Sequence, residues 1–141
     1  MRFVLDANEY IFALGLFKKE SCESLLQYFI ENASTHSISI CRTIIDEVRP
    51  NLTPKDFQTF VKFINLFASI DEDFLVPFEI GARYEAKGFK EADALIAAYA
   101  EWVGAEVLVS ENRHFLIRNP NLPFKVLNAD NCLKFVQASL Q

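Results

Sequence analysis

Short, wholly apolar runs alternate along the chain with stretches in which apolar residues recur every three or four positions. Phe3–Val4–Leu5 and Val107–Leu108–Val109–Ser110 read as strands buried on both faces of a parallel sheet, and Phe124–Lys125–Val126–Leu127 as a last strand. Ser37–Ile38–Ser39–Ile40 alternates like a strand. Phe74–Leu75–Val76 is expected to form a third strand after a solvated break at Asp71–Glu72–Asp73. Helices are expected over residues 7–19 and 21–32, the second carrying a stripe of Cys22, Leu25, Leu26, Phe29 and Ile30. A short helix over 42–49 is ended by Pro50. Thr53–Pro54 opens a long helix striped by Phe57, Phe60, Val61, Ile64 and Phe67. Further helices are expected over 77–86, closed by Lys87–Gly88, over 91–103, closed by Gly104, and over 131–140.

Strands alternating with helices, with no repeat and no linker, predict a single α/β domain over residues 1–141. Its architecture would be a three-layer α/β/α sandwich around a mainly parallel sheet. Ligands of such folds bind at the carboxyl ends of the strands.

Composition supports a packed core: 51% of residues are hydrophobic and 23% charged, and fourteen are Phe, pointing to a core rich in aromatic rings. The three cysteines, Cys22, Cys41 and Cys132, have neither CxxC spacing nor a paired His, which argues against a disulfide framework or a structural zinc site. A carboxylate at position 6 interrupts the N-terminal region before a signal-type apolar segment, and no run approaches the ~20 residues of a membrane span. A cytoplasmic protein without a membrane partner is expected. Fourteen basic against nineteen acidic residues leave a net charge of −5, which excludes a generally cationic surface for gripping phosphates. It does not exclude nucleic acid bound through metal ions held by the chain's own carboxylates.

The acids are placed to do that. Asp6 directly follows the first strand, although Asp6–Ala7–Asn8–Glu9 also has capping-box spacing, so a structural role competes with a chemical one. Asp93 shares a helix face with Ile96, Ala97 and Ala100, a stripe turned toward the sheet, where an ionised carboxylate needs a cation or donors. Glu47 shares a face with Thr43 and Ile44 and turns inward. Asp46 instead lies within reach of Arg42 and Arg49 and reads as a solvated charge. Converging carboxylates without His or Cys at ligand spacing select hard divalent ions, Mg²⁺ or Mn²⁺ rather than zinc.

Three segments resemble a known family. Val4–Leu5–Asp6–Ala7–Asn8 is similar to the opening of PIN-domain ribonucleases. Residues Glu91 to Ala100 resemble that family's central helix, and Leu108–Val109–Ser110–Glu111–Asn112–Arg113–His114–Phe115 its later strand-to-loop motif. Within the family the chain looks most like the small prokaryotic VapC-like group. The resemblance implies a metal-dependent endoribonuclease that hydrolyses RNA phosphodiester bonds, the toxin of a toxin–antitoxin pair with a small antitoxin protein as partner. It carries over Asp6, Glu47 and Asp93 as the acidic triad holding Mg²⁺ or Mn²⁺, with Asn8 and Ser110 in support. The family's fourth acidic place is often Asp. Spacing to Phe115 puts Asn112 there, and Glu111 is adjacent, so either is a candidate metal ligand. A homodimer is expected.

The alternative from another class is a non-catalytic PIN-like module that binds RNA or protein. A haloacid-dehalogenase-type phosphatase would need an Asp where Asn8 stands, and no acidic pair marks a phosphoreceiver. No glycine-rich phosphate loop supports a nucleotide cofactor. Arg42, Arg49, Lys90 and Arg113 flank the acids and are candidate RNA contacts, weighed against ordinary surface charges. His36 and His114 read as structural or surface residues. Tyr10, Phe12, Leu16 and Phe17 are assigned to the core, with a partner groove as the competing reading, and Trp102 to the end of its helix.

Overall fold

The computed structural model describes residues 1–117 and 121–138. Five strands, β1 (Arg2–Leu5), β2 (Ser37–Cys41), β3 (Ala68–Asp71), β4 (Val107–Val109) and β5 (Lys125–Leu127), form one sheet in the order β3-β2-β1-β4-β5. Every pairing is parallel. Eight helices are described: α1 (Ala7–Leu14), α2 (Glu20–Glu31), α3 (Arg42–Val48), α4 (Pro54–Phe67), α5 (Phe78–Ala86), α6 (Glu91–Trp102), α7 (Arg113–Ile117) and α8 (Ala129–Ala138). They flank the all-parallel sheet in a three-layer α/β/α arrangement. None of the described helices is long and apolar enough to cross a membrane.

The central strands β1 and β4 are apolar throughout their buried length because both of their faces are covered, as the continuous runs Phe3–Leu5 and Val107–Val109 require. The aromatic core is real: Phe3 meets Phe29 edge-on at 4.9 Å, and Tyr10 meets Phe60 at 5.0 Å. His36 is held in this core, its Nε2 3.0 Å from the Tyr28 hydroxyl.

Five expectations are corrected. The third strand is Ala68–Asp71, paired with β2, while Asp73–Leu75 is a 3-10 turn. At the sheet edge, β3 needs little apolar content, so the more hydrophobic Phe74–Leu75–Val76 drew the assignment away. Asp71–Glu72–Asp73 is no simple solvated break. Asp73 accepts from the Thr43 amide at 3.1 Å and from its hydroxyl at 2.7 Å, capping α3 from a distance. Arg42 donates to Glu72 at 2.7 Å, and the Tyr99 hydroxyl donates to Asp71 at 2.6 Å.

Helix α1 stops at Leu14 rather than continuing to residue 19. Gly15 draws so close to the last turn that a Cβ there would lie 2.6 Å from the Ile11 carbonyl oxygen. Leu16 and Phe17, expected in the core, are consequently released to the surface, 80% and 86% exposed, while Tyr10 is buried. The last helix starts at Ala129, where the Asn128 side chain accepts from the Asn131 amide at 2.8 Å. The end of its expected range, 139–140, lies outside the described residues.

Tyr10 packs on Phe60 and Phe63, and its hydroxyl is buried without a partner among the described residues. Removing that oxygen should therefore not harm the fold. Tyr10→Phe is expected to hold or raise the unfolding free energy, by up to about 1–3 kcal/mol. Phe60→Ala should lower it by about 3–5 kcal/mol. Urea unfolding measures both, and a loss in Tyr10→Phe would reveal a hydrogen bond at that hydroxyl.

Candidate functional site

The strand order reverses direction on either side of β1, so the connections leaving β1 and β4 diverge and open a crevice at their carboxyl ends. Asp6 stands at that point. Its amide donates to the Val109 carbonyl at 2.8 Å, which ties the residue after β1 to the end of β4. Its side chain is almost wholly buried, 7% exposed. One carboxylate oxygen accepts from the Ala7 amide at 2.8 Å and the other from the Ser110 hydroxyl at 3.0 Å. Asp6 thus does cap α1, but half of its carboxylate belongs to a contact between residues far apart in sequence.

Glu47 on α3 and Asp93 in the first turn of α6 are half-buried. Parallel β1 and β2 send Asp6 and α3 toward the same edge, and α6 brings Asp93 to it from beyond the crossover. The three are close enough to disturb one another. Burial pushes the Glu47 carboxyl up to about 7, and the charges of Asp6 and then Asp93 add to the rise. Asp6 is also raised, first by burial, with Asp93 contributing and the Ala7 and Ser110 hydrogen bonds opposing. Asp46, one residue from Glu47, is exposed.

Ser110 is fully buried and serves as a relay: its Oγ donates to Asp6 and accepts from the Asn112 amide at 3.0 Å. The Asn112 side-chain oxygen accepts from the His114 amide at 3.0 Å, starting α7. Glu111 accepts from the Ala129 amide at 3.1 Å and lies with Glu9 and Cys22, so both residues of the fourth position are engaged with neighbouring backbone. Asn8 is half-buried in the first turn of α1. Of the cationic candidates, Arg42 is paired with Glu72 and Arg49 lies over the Phe57 ring at 4.5 Å. Lys90 lines a small cleft of about 60 Å³ with Gly88, Phe89, Asp93 and His114. Arg113 is exposed beside it at the start of α7.

Two features escape sequence reasoning. His114 shares the cleft with Asp93 only because α7, a helix not expected, folds back toward α6. Glu9 does not reach back to Asp6 as a capping box would have it. Its carboxyl is fully buried, accepts from the Cys22 thiol at 3.2 Å, and is pushed up to about 9 by burial and by the approach of Glu111. No local spacing announces a contact between positions 9, 22 and 111.

No family model matches the chain, and no curated protein matches it. Among solved structures, the chain is similar to one of VapBC2 from Rickettsia felis bound to a DNA fragment from their promoter. The match has 20% identity and a TM-score of 0.62, and covers 91% of this chain and 98% of that one. It is also similar to one of FitAcB from Neisseria gonorrhoeae, with 17% identity and a TM-score of 0.58, covering 90% of this chain and 97% of the other. The likeness is one of fold, a three-layer α/β/α arrangement, and extends nearly end to end.

Proposed function

We propose that the chain is a metal-dependent endoribonuclease that hydrolyses RNA phosphodiester bonds, acting in the cytoplasm as the toxin of a toxin–antitoxin pair. The observation that carries this reading is the meeting of Asp6, Glu47 and Asp93 at the carboxyl edge of the sheet, with raised carboxyls at Asp6 and Glu47. An all-oxygen donor set in which Asp6 and Glu47 are held protonated beyond their ordinary range suits a hard cation, which would relieve the repulsion. Asp6, Glu47 and Asp93 would hold Mg²⁺ or Mn²⁺. Such an ion, when bound, activates water and neutralises charge at the scissile phosphate.

The chain's own groups do the rest. Ser110 orients the Asp6 carboxylate, and the Asn112 amide orients Ser110. Glu47, whose carboxyl stands at about 7 without metal, would give up its proton as the ion enters. Lys90, His114 and Arg113 supply donors for phosphate oxygens beside Asp93. Asn8, half-buried in the first turn of α1, would support the site beside Asp6. Because Glu111 and Asn112 are engaged elsewhere, the ion would be held by three acids rather than four. Exposed Leu16 and Phe17 offer the small antitoxin an apolar grip, and a homodimer remains part of the proposal.

Chelator-sensitive cleavage of single-stranded RNA tests the reading. Asp93→Asn should abolish it, and Ser110→Ala should lower it roughly 10–100-fold by loosening Asp6. Activity unchanged in Asp93→Asn would sink the site assignment. Metal binding by the parent without turnover would select the non-catalytic module instead. Mg²⁺ or Mn²⁺ should also raise the melting temperature of the parent more than that of Asp6→Asn, and equal shifts would remove Asp6 as a ligand.

A pH dependence follows from Glu47. In the unfolded chain it ionises near its ordinary 4.5, whereas in the fold it keeps its proton to about 7. The metal-free fold binds more protons than the unfolded chain between these values, so Glu47 subtracts from stability as pH rises from about 4.5 to about 7. In chelator, Glu47→Gln should therefore gain stability relative to the parent at the upper end of this range and not at the lower. Denaturant midpoints at both ends decide it.

A further inference from the structure

We propose that Glu9, Cys22 and Glu111 form a second cation site, separate from the Asp6–Glu47–Asp93 cleft and suited to a thiophilic divalent ion such as Zn²⁺. The ligand atoms of the three residues all lie within 4.8 Å of one another. Ions of this kind bind thiolate and carboxylate at about 2.0–2.3 Å, so ligands sharing one ion stand roughly 3.3–3.7 Å apart. The Cys22 sulfur and Glu9 Oε2 are already 3.2 Å apart.

The site is built rather than incidental. Glu9 and Cys22 are both fully buried. Glu9 Oε1 finds no donor among the described residues, and the Glu111 carboxyl approaches the Glu9 carboxyl, so the pair needs a proton or a cation between them. Glu111 has one oxygen fixed by the Ala129 amide, which holds its carboxylate beside the other two groups. Glu111 is itself half-buried, leaving an approach for the ion and for a water as fourth ligand.

The donor set separates this cluster from its neighbour. A thiolate favours zinc-like ions over Mg²⁺, whereas the cleft at Asp6 offers oxygen alone. Entry of the ion displaces the proton of the Cys22 thiol and the proton held by the Glu9 carboxyl, and both go to solvent. Two protons leave as one dication enters, so the net charge of the cluster is unchanged. An ion here would tie α1, α2 and the β4–α7 connection together, and through Glu111 the start of α8. The inference does not depend on the nuclease reading.

The full chain, stripped with chelator and kept reduced without thiols, is titrated with Co²⁺ and separately with Zn²⁺. One Zn²⁺ per chain is expected in native mass spectra, and Co²⁺ should give a near-ultraviolet thiolate charge-transfer band. Cys22→Ser should lose the band, while Cys41→Ser and Asp93→Asn should keep it. Glu9→Gln, which preserves shape and stays neutral, should lose the Zn²⁺ and still melt cooperatively, and it decides the matter if Cys22→Ser fails to fold. Absence of a band in the parent overturns the proposal, as does a band that survives Cys22→Ser or disappears with Asp93→Asn. Stabilisation by Glu9→Gln in a protein that takes up no Zn²⁺ would show that the cluster holds a proton only.

Discussion

Carboxylates gathered where water is scarce set the terms for this molecule. Asp6 is buried at the centre of the sheet's carboxyl edge, where the charge of Asp93 adds to its cost, and Glu47 is raised in turn by burial and by Asp6 and Asp93. Glu9 lies deeper still, one turn along the same helix. In a medium of low polarisability such groups must keep protons, find donors or hold cations. The surrounding structure supplies donors sparingly: one amide and one hydroxyl for Asp6, and one thiol for Glu9.

The sheet makes this concentration possible. Parallel pairing aims every strand's carboxyl end the same way, so residues 6, 42–47 and 110 collect at one edge without being near in sequence. Rigid apolar strands hold the register, and the Asp6–Val109 and Ser110–Leu127 backbone hydrogen bonds extend it into the connecting loops. The acids are therefore held by the ends of packed strands and by the helices that follow them. Beyond the same edge, Asp71, Glu72 and Asp73 are occupied with Tyr99, Arg42 and Thr43, so these acids brace the frame.

Much of this was legible from residue order. The stripes of α2 and α4, the apolar runs of β1 and β4, and the glycine stops at Gly88 and Gly104, both with positive φ, appear where periodicity and turn chemistry put them. The PIN-like architecture was legible too, and so was the inward face of Glu47. The misses share a cause. Strand β3 was hidden because an edge strand is specified by its neighbour more than by its own hydrophobicity. Leu16 and Phe17 were counted as core because apolar composition does not reveal that Gly15 has already turned the chain outward.

Sequence alone determined the alternation of elements and the apolar stripes of the helices, because these depend on local period. Only the tertiary structure decided which acids meet. It joined Ser110 to Asp6, turned Asn112 to the start of α7, drew Glu111 toward Ala129 and Glu9, and set Cys22 beside them. The reason is physical. Burial and Coulomb interaction act through space over a few ångströms, whereas periodicity reports only on neighbours along the chain.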